Sequence, residues 1–554
     1  MIDDKQNIIS ILEQITFLLE LKGENVFKVN AFRKASGIIS NIEGDIADRY
    51  EEGTLATVPG IGKGILSVIE DYFSLGYSQT YKDLLMEVPE GLIELNKIRG
   101  LGPKKALTLY NDFNILNPKM LEDACRSKEI AKIKGFTDKS AEKLLEELEF
   151  YKNSLGKIRV NIATELNSEI AEALSQIDVI EIFSVSGDFR RSMEIIEILE
   201  FVVFTNSPEI ALKEIRDKLE IETLTYSEAN TYKSKAKILI HLSTSLEEYN
   251  KILFSTTGST EFIEKLKSIY PISYSTCSTE FEIFRDAGIK YIAPEMREVQ
   301  IVERLNDDKF SDSDLELSAF KGCFHFHTNY SDGKNKLEEM ITEAQKIGYQ
   351  YFAVCDHSKA SFQANGMSEE RVFLQKEEIA KASDELGVTI FHGIEVDILK
   401  DGSLDFGNNF LENFDFVVAS VHQRFSLNKD DMTSRMIKAV ENRHTDVLGH
   451  PSGRLILERS EFEADFDKII DACKANSVAI EINASAHRLD LDWRRIFAAR
   501  DKGCIFSINP DAHRTTQLVN VNYGIKIARK AALKQSEVIN CYNEDEFVKF
   551  IGRK

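Results

Sequence analysis

The chain has 554 residues, with 69 Lys and Arg against 91 Asp and Glu and a net charge of −22. That length exceeds one ordinary core and fits two to four domains, and the charge argues against a broad electrostatic grip on nucleic acid, so any phosphate contact must be local. No apolar run is long enough for a bilayer, the opening MIDDKQNIISILEQ lacks signal-peptide order, and the seven cysteines form no Cys-x-x-Cys pair. A soluble cytoplasmic chain with reduced thiols and no membrane partner is expected.

The N-terminal third offers local contacts. Val58-Pro-Gly60-Ile-Gly62-Lys63-Gly64 and Ile98-Arg-Gly100-Leu-Gly102-Pro-Lys104-Lys105 each place Gly-hydrophobic-Gly between two amphipathic helical patterns, with a weaker copy at Ile133-Lys-Gly-Phe-Thr137. Such glycines permit a tight hairpin and close backbone approach, so that amides opening the next helix hold one phosphate without reading bases. One copy alone is as easily a turn between packed helices; two copies, each followed by lysine, favour DNA-backbone binding, and the third is expected only to pack.

Farther along come Gly187-Asp188-Phe-Arg190-Arg191, Thr257-Gly-Ser259 and Tyr291-Ile-Ala-Pro-Glu-Met-Arg-Glu298. Residues 301–318 are polar and acidic and read as a solvated linker. Beyond them, β-rich runs at Tyr351, Val388, Phe416, Val478 and Cys504 alternate with helical stretches, the rhythm of a parallel (β/α) barrel whose active site forms at the strand C-termini. Imidazole and carboxylate side chains collect at those ends: His325, His327 and Asp332, Asp356 and His357, Glu395, His422, His450, Asp511 and His513. This mixture suits zinc, manganese or iron and exceeds the needs of one mononuclear site, which points to a multinuclear metal hydrolase.

The order of these parts resembles that of family X DNA polymerases, and the whole chain resembles a bacterial member carrying a C-terminal polymerase-and-histidinol-phosphatase (PHP) domain. The resemblance implies a multidomain α+β and α/β chain: a helix-hairpin-helix lyase-like domain over 1–85, a fingers-like one over 86–150, a polymerase-β-like palm over 151–255, a thumb over 256–300, the linker, and a distorted (β/α)7 TIM-like PHP barrel over 319–554. The PHP motifs appear as His325-Phe-His327-Thr-Asn-Tyr-Ser-Asp332-Gly, Cys355-Asp356-His357-Ser, Gly393-Ile-Glu395-Val-Asp397, Ser420-Val-His422, Gly449-His450-Pro and Pro510-Asp511-Ala-His513, and alternation along a strand is expected to point His325 and His327 to one face. All nine ligand positions are filled, which implies three divalent ions, Mn or Zn, with Fe or a mixture as alternatives, activating water for attack on a terminal DNA phosphodiester.

By the same analogy Glu395 bridges ions and Asp356 orients a ligand imidazole. Arg454 and Arg488 either hold phosphate or make structural ion pairs, and His487 is a candidate proton donor. His392, His444 and His241 match no motif and are read as structural.

Polymerase chemistry is where the resemblance fails. Counting from Arg190 and Arg191, the family's Asp-x-Asp falls on Ile198 and Glu200, the strand expected to carry a third aspartate (235–245) has no acid, Asp188 replaces a triphosphate-binding serine, and apolar Phe262 and Ile263 follow Ser259. Val68 stands at the lyase lysine. Two-metal phosphoryl transfer needs those carboxylates, so nucleotidyl transfer and lyase activity are expected to be absent. The favoured function is a 3′-to-5′ exonuclease or 3′-end-processing enzyme of DNA repair acting at ends, gaps or nicks; the alternatives are a small-molecule phosphatase of the histidinol-phosphate kind and a DNA-binding scaffold in the front half that recruits unspecified repair proteins.

Overall fold

The protein is described from a computed structural model covering residues 4–42, 46–219, 228–230, 236–274, 277–305 and 312–552, in two compact units, 1–155 and 156–554. The first unit is helical. Its three hairpins share one backbone design: the amides of Ile61, Leu101 and Phe136 donate to the carbonyls of Val58, Ile98 and Ile133 at 3.0–3.1 Å, across Gly60, Gly100 and Gly135 at φ +96°, +86° and +98°. Only glycine takes that left-handed conformation without strain, which explains why all three copies keep it. The apolar residue of each hairpin, Ile61, Leu101 or Phe136, is buried in the unit's core, and the helices Lys63–Leu75, Pro103–Phe113 and Asp138–Ser154 follow.

In the second unit the helix Val160–Ser175 precedes a four-stranded sheet of β1 (Ile180–Ser186), β2 (Ile198–Thr205), β3 (Glu228–Asn230) and β4 (Lys237–Ser243) in the order β1-β2-β4-β3. β2 pairs antiparallel with β1 and parallel with β4. The helices Leu246–Thr257, Thr260–Ile269 and Glu280–Asp286 follow, and Phe262, Ile263 and Phe284 join the same core as the barrel. The thumb-like segment therefore packs as part of the barrel's unit.

The barrel has seven parallel strands in sequential order: β5 (Gly322–Phe324), β6 (Tyr351–Val354), β7 (Thr389–Asp397), β8 (Phe416–Ser420), β9 (Val447–Leu448), β10 (Ala479–Asn483) and β11 (Phe506–Asn509). A parallel bridge between Phe326 and Ala512, with the His327 amide donating to the Ala512 carbonyl at 2.8 Å, joins the first strand's exit to the last and nearly closes the ring. Tyr351, Phe416, Val447 and Ala479, each the first residue of its strand, pack with Phe547 and Phe550 of the helix Glu544–Ile551. That apolar plug fills one mouth and leaves the strand C-termini to the polar residues.

The linker expectation fails at both described ends of 301–318: Ile301 and Val302 are buried in the barrel's core. The segment 312–318 is anchored: the Leu315 side chain is fully buried, the Gln535 amide donates to Asp314 Oδ1 at 2.9 Å, and Arg529 donates to the Leu315 carbonyl at 2.9 Å. Acidic composition resembled solvation, but these acids and carbonyls serve as acceptors for the 529–535 segment. Residues 306–311 of the linker and Lys235 of the strand expected to carry the third aspartate lie outside the described residues.

Candidate metal centre

All nine predicted ligands converge on the C-terminal mouth of the barrel. His325, His357, His422, His450 and Asp511 leave the ends of β5, β6, β8, β9 and β11, and Glu395 stands near the end of β7. Three groups place ligand atoms within 4.8 Å of one another: His325, His327 and Asp511; His357, Glu395 and His422; and His327, Asp332, His357 and His513. Glu395 is the hub. Its carboxylate lies 2.8 Å from His357 Nδ1, 3.0 Å from His450 Nε2, and 3.3 Å from both His325 Nε2 and His422 Nε2.

The convergence of His325 and His327 does not come from strand alternation. β5 ends at Phe324, and His325 sits at φ +48°. His450 and Asp511 share this left-handed geometry at +25° and +49°. Non-glycine residues held there are strained, and the strain turns each ligand into the mouth as its strand ends.

Burial and mutual charge set the protonation pattern. Burial, with neighbouring charges, holds His327 down to about 3 and His450 to about 4. Burial also opposes charge on His422 and His513, but Glu395 and Asp397 lift the first to about 10, while Asp332 and Asp511 lift the second to about 9. Despite full burial, the surrounding imidazoles hold Glu395 and Asp511 well below the usual carboxylate range. The cage thus keeps its carboxylates ionised among imidazoles.

His325 Nε2, Asp332 Oδ1, His357 Nδ1 and Glu395 Oε2 are buried within these groups and have no hydrogen-bond partner. Buried polar atoms are normally satisfied, and lone pairs left open in a cluster of this composition fit divalent cations.

Two supporting acids carry no assignment in the sequence reading. Glu481 receives His325 Nδ1 at 2.5 Å, the His450 amide at 2.6 Å and Asn509 Nδ2 at 2.8 Å, and Asp397 receives His422 Nδ1 at 2.5 Å. Both fix a ligand ring, leaving its Nε2 to face Glu395. A sequence signal existed for each: Glu481 is the one acid inside the apolar strand β10, and Asp397 lies two residues beyond Glu395 on the same strand face.

The expectation that Asp356 orients an imidazole is corrected. Its buried carboxylate accepts from the Thr328 amide at 2.9 Å, Thr328 Oγ1 at 2.6 Å, the Ser331 amide at 3.1 Å, the Ser331 hydroxyl, and Gln375 Nε2 at 2.6 Å. Asp356 therefore shapes the turn that delivers Asp332.

For Arg454 the ion-pair alternative holds. It reaches Glu194 Oε1 at 3.4 Å and Asp492 Oδ2 at 3.3 Å, and donates to the carbonyls of Arg488 and Leu489. Arg488 instead borders the cage, with Nε 3.5 Å from Asp511 Oδ2. His487, half exposed, pairs with Glu458 at 3.5 Å rather than with the cage. His392 is buried with Nε2 3.2 Å from Gln375 Oε1, a structural arrangement.

In the polymerase-like segment, Arg190 meets Glu280 in two contacts of 2.6 and 3.0 Å, Arg191 pairs with Asp188 and Glu298, and Glu200 lies 3.2 Å from His241 Nε2. Ile198 opens β2, and Val68 is fully buried.

In the first unit, Gly62 and Gly102 cap the helices Lys63–Leu75 and Pro103–Phe113 without a side-chain hydrogen bond, at φ −86° and −75°, and an added Cβ at either, or at Gly64 or Gly100, would meet nothing within 4 Å. Neither backbone angle nor internal packing demands glycine at 62 and 102. Lys63, Lys104 and Lys105 are exposed beside them, whereas the third hairpin spends Thr137 on its own helix, accepting from the Ser140 amide at 3.2 Å.

Comparison with known proteins agrees with this layout. A helix-hairpin-helix domain model matches residues 3–77, a SAM-like helix-hairpin-helix tandem model matches 92–149, and a PHP domain model matches 324–485. The DNA polymerase/3′-5′ exonuclease PolX of Bacillus subtilis (strain 168) is 33% identical over 99% of both chains. Probable phosphatases of Caldicellulosiruptor saccharolyticus and Caldicellulosiruptor bescii are 25% and 31% identical, over 41% and 29% of this chain and 96% and 65% of theirs. Among the described residues, no helix is long and apolar enough to cross a membrane.

Proposed function

This chain belongs to the family of the Bacillus subtilis DNA polymerase/3′-5′ exonuclease PolX, and on that premise we propose that it is a metal-dependent 3′-to-5′ DNA exonuclease or 3′-end-processing enzyme whose polymerase-like segment no longer synthesises. The observation that carries the reading is the set of buried nitrogen and oxygen atoms of His325, Asp332, His357 and Glu395 that crowd together at the barrel mouth without a hydrogen bond to satisfy them. Three ligand groups suit three divalent ions, manganese or zinc with iron as an alternative, and such ions supply Lewis acidity and hydroxide near neutral pH.

The protein's own groups do the rest. Glu395, shared by five imidazoles, joins the groups into one centre. Glu481 and Asp397 fix the tautomers of His325 and His422. Arg488 offers a guanidinium beside Asp511 for the scissile phosphate, and the amides after Gly62 and Gly102, with Lys63, Lys104 and Lys105, hold the DNA backbone near a break or end.

Loss of synthesis is supported by Ile198 in place of an acid and by Arg190 and Arg191 lying in internal ion pairs rather than facing an open triphosphate site. Loss of lyase chemistry is supported by Val68, which is buried and has no amine. Relatives named probable phosphatases favour a second reading, a small-molecule phosphatase, but they cover 41% or less of the chain and leave two hairpin domains idle. Release of mononucleotides from 3′-labelled DNA, measured against phosphate release from histidinol phosphate, decides between them; turnover of the small phosphate with every DNA intact overturns the proposal.

A further inference from the structure

Phe362 is 88% exposed, the most exposed large apolar side chain among the described residues. Its surroundings are rigid. The loop that carries it leaves directly from the ligand His357 and is closed by the Met367 amide donating to the His357 carbonyl at 2.8 Å, with a parallel bridge between Ser358 and Met367. Inside the loop, the Ala364 and Gly366 amides both donate to the Ser361 carbonyl, at 3.0 and 3.1 Å, and a Cβ on Gly366 would lie 2.0 Å from the Ser358 carbonyl oxygen.

The same loop is tied to the metal centre on two sides. Ser361 Oγ donates to Asp397 Oδ2 at 3.0 Å and lies 3.3 Å from His422 Nδ1, while Asn365 Nδ2 donates to the Ser331 carbonyl beside Asp332 at 3.0 Å. Phe362 is thus the next residue after one that touches a ligand imidazole on its Nδ1 side, and it stands on a tightly closed loop that adjoins the ligand His357. Leaving a phenyl ring in water is unfavourable, and Phe362 keeps most of its surface there.

We propose that Phe362 is a stacking platform for a nucleobase at the 3′ end being hydrolysed, so that DNA is placed by a base-to-ring contact that is indifferent to sequence. This rests on the exonuclease reading above. Phe362 touches no reacting atom and acts as a positioning residue: a flat apolar face beside a phosphodiester-cleaving centre suits a base, which is flat and apolar on its faces, whereas a small phosphate has nothing to lay on it. Base–aromatic stacking contributes about 1–3 kcal/mol per base, which converts to a roughly 5- to 150-fold change in affinity.

The test compares Phe362→Ala and Phe362→Trp in the metal-loaded full chain on two single-stranded oligonucleotides, one ending in a normal 3′ nucleotide and one with base-less tetrahydrofuran residues at its 3′ end. The expected result is a KM for Phe362→Ala raised at least 5-fold on the normal end with kcat within about 2-fold, rescue by Phe362→Trp, and no preference between the two variants on the base-less end. Equal losses on both ends, no loss on either, or failure of Trp to rescue overturns the proposal. Quenching of 2-aminopurine placed at a 3′ end made resistant by phosphorothioate, present in wild type and relieved in Phe362→Ala, reads stacking without hydrolysis. Should wild type cleave no DNA, the exonuclease reading fails, and the quenching result alone then decides stacking.

Discussion

The barrel mouth and the polymerase-like sheet belong to one compact unit, and both are rich in charge, yet they treat it oppositely. At the mouth, buried atoms of His325, Asp332, His357 and Glu395 crowd one another and their neighbours at 2.8–3.7 Å, yet none of these four atoms makes a hydrogen bond. In the sheet region, Arg190, Arg191, Asp188 and Glu200 each have a protein partner: Glu280, Glu298, Arg191 and His241. Buried lone pairs left without hydrogen bonds cost stability unless an ion satisfies them, whereas charges closed on one another within the fold carry no such cost.

The comparison breaks most directly at the cage. Asp511→Ala, or removal of divalent ions by a chelator, is expected to reduce DNA hydrolysis by at least about 10³-fold while leaving DNA binding by filter or anisotropy assay within about 2-fold. Next in size is Glu481→Gln, which loses the charge that fixes His325; a 10- to 100-fold loss of metal affinity or activity is expected, read by metal titration. Activity unchanged in this variant would show that the ring needs no orienting acid.

The hairpins give a cleaner perturbation. At Gly62 and Gly102 the backbone angles suit alanine and the added methyl meets nothing, so the double alanine variant should keep its melting temperature and lose roughly 10-fold in DNA affinity. A shallow salt slope is expected in both forms, given the net charge of −22.

Arg454→Met tests the seam joining the sheet region to the barrel. It strands Glu194 and Asp492, and a stability loss of about 2 kcal/mol is expected, below the ~3–5 of a fully dry pair, read as a lower melting temperature of the full chain.

The smallest effect concerns pH. Asp490, fully buried after β10 and accepting from the Ser452 amide at 3.0 Å, is raised by burial from 3.8 to about 6. The folded form therefore holds this proton more tightly than the unfolded chain, so its contribution is fully present below about pH 4 and is lost as pH rises through about 6. Stability of wild type relative to Asp490→Asn should decline across that window and be flat above it.

Much of the site was legible because metal ligands are few residue types in fixed motifs, and strand ends could be located from β-rich runs. What stayed hidden was the partner of each group. Glu481 lies 156 residues from His325, and Glu194 lies 260 from Arg454, so neither pairing leaves a local pattern. Asp356 was misassigned because adjacency to His357 suggested an imidazole, while its real partners are in a turn 25–28 residues away and at Gln375. A parallel barrel followed from rhythm and its seven strands from the family resemblance; the left-handed turns at His325, His450 and Asp511 followed from neither, because nothing in those residue types announces a positive φ.

One gel tests the whole account. Wild type and Asp511→Ala are each incubated with labelled primer-template, all four deoxynucleotides and Mn²⁺. Wild type should only shorten the primer, and Asp511→Ala should leave its length unchanged. Extension by Asp511→Ala, with hydrolysis silenced, would show that the sheet region still synthesises, and continued shortening would show that the cage is not the nuclease.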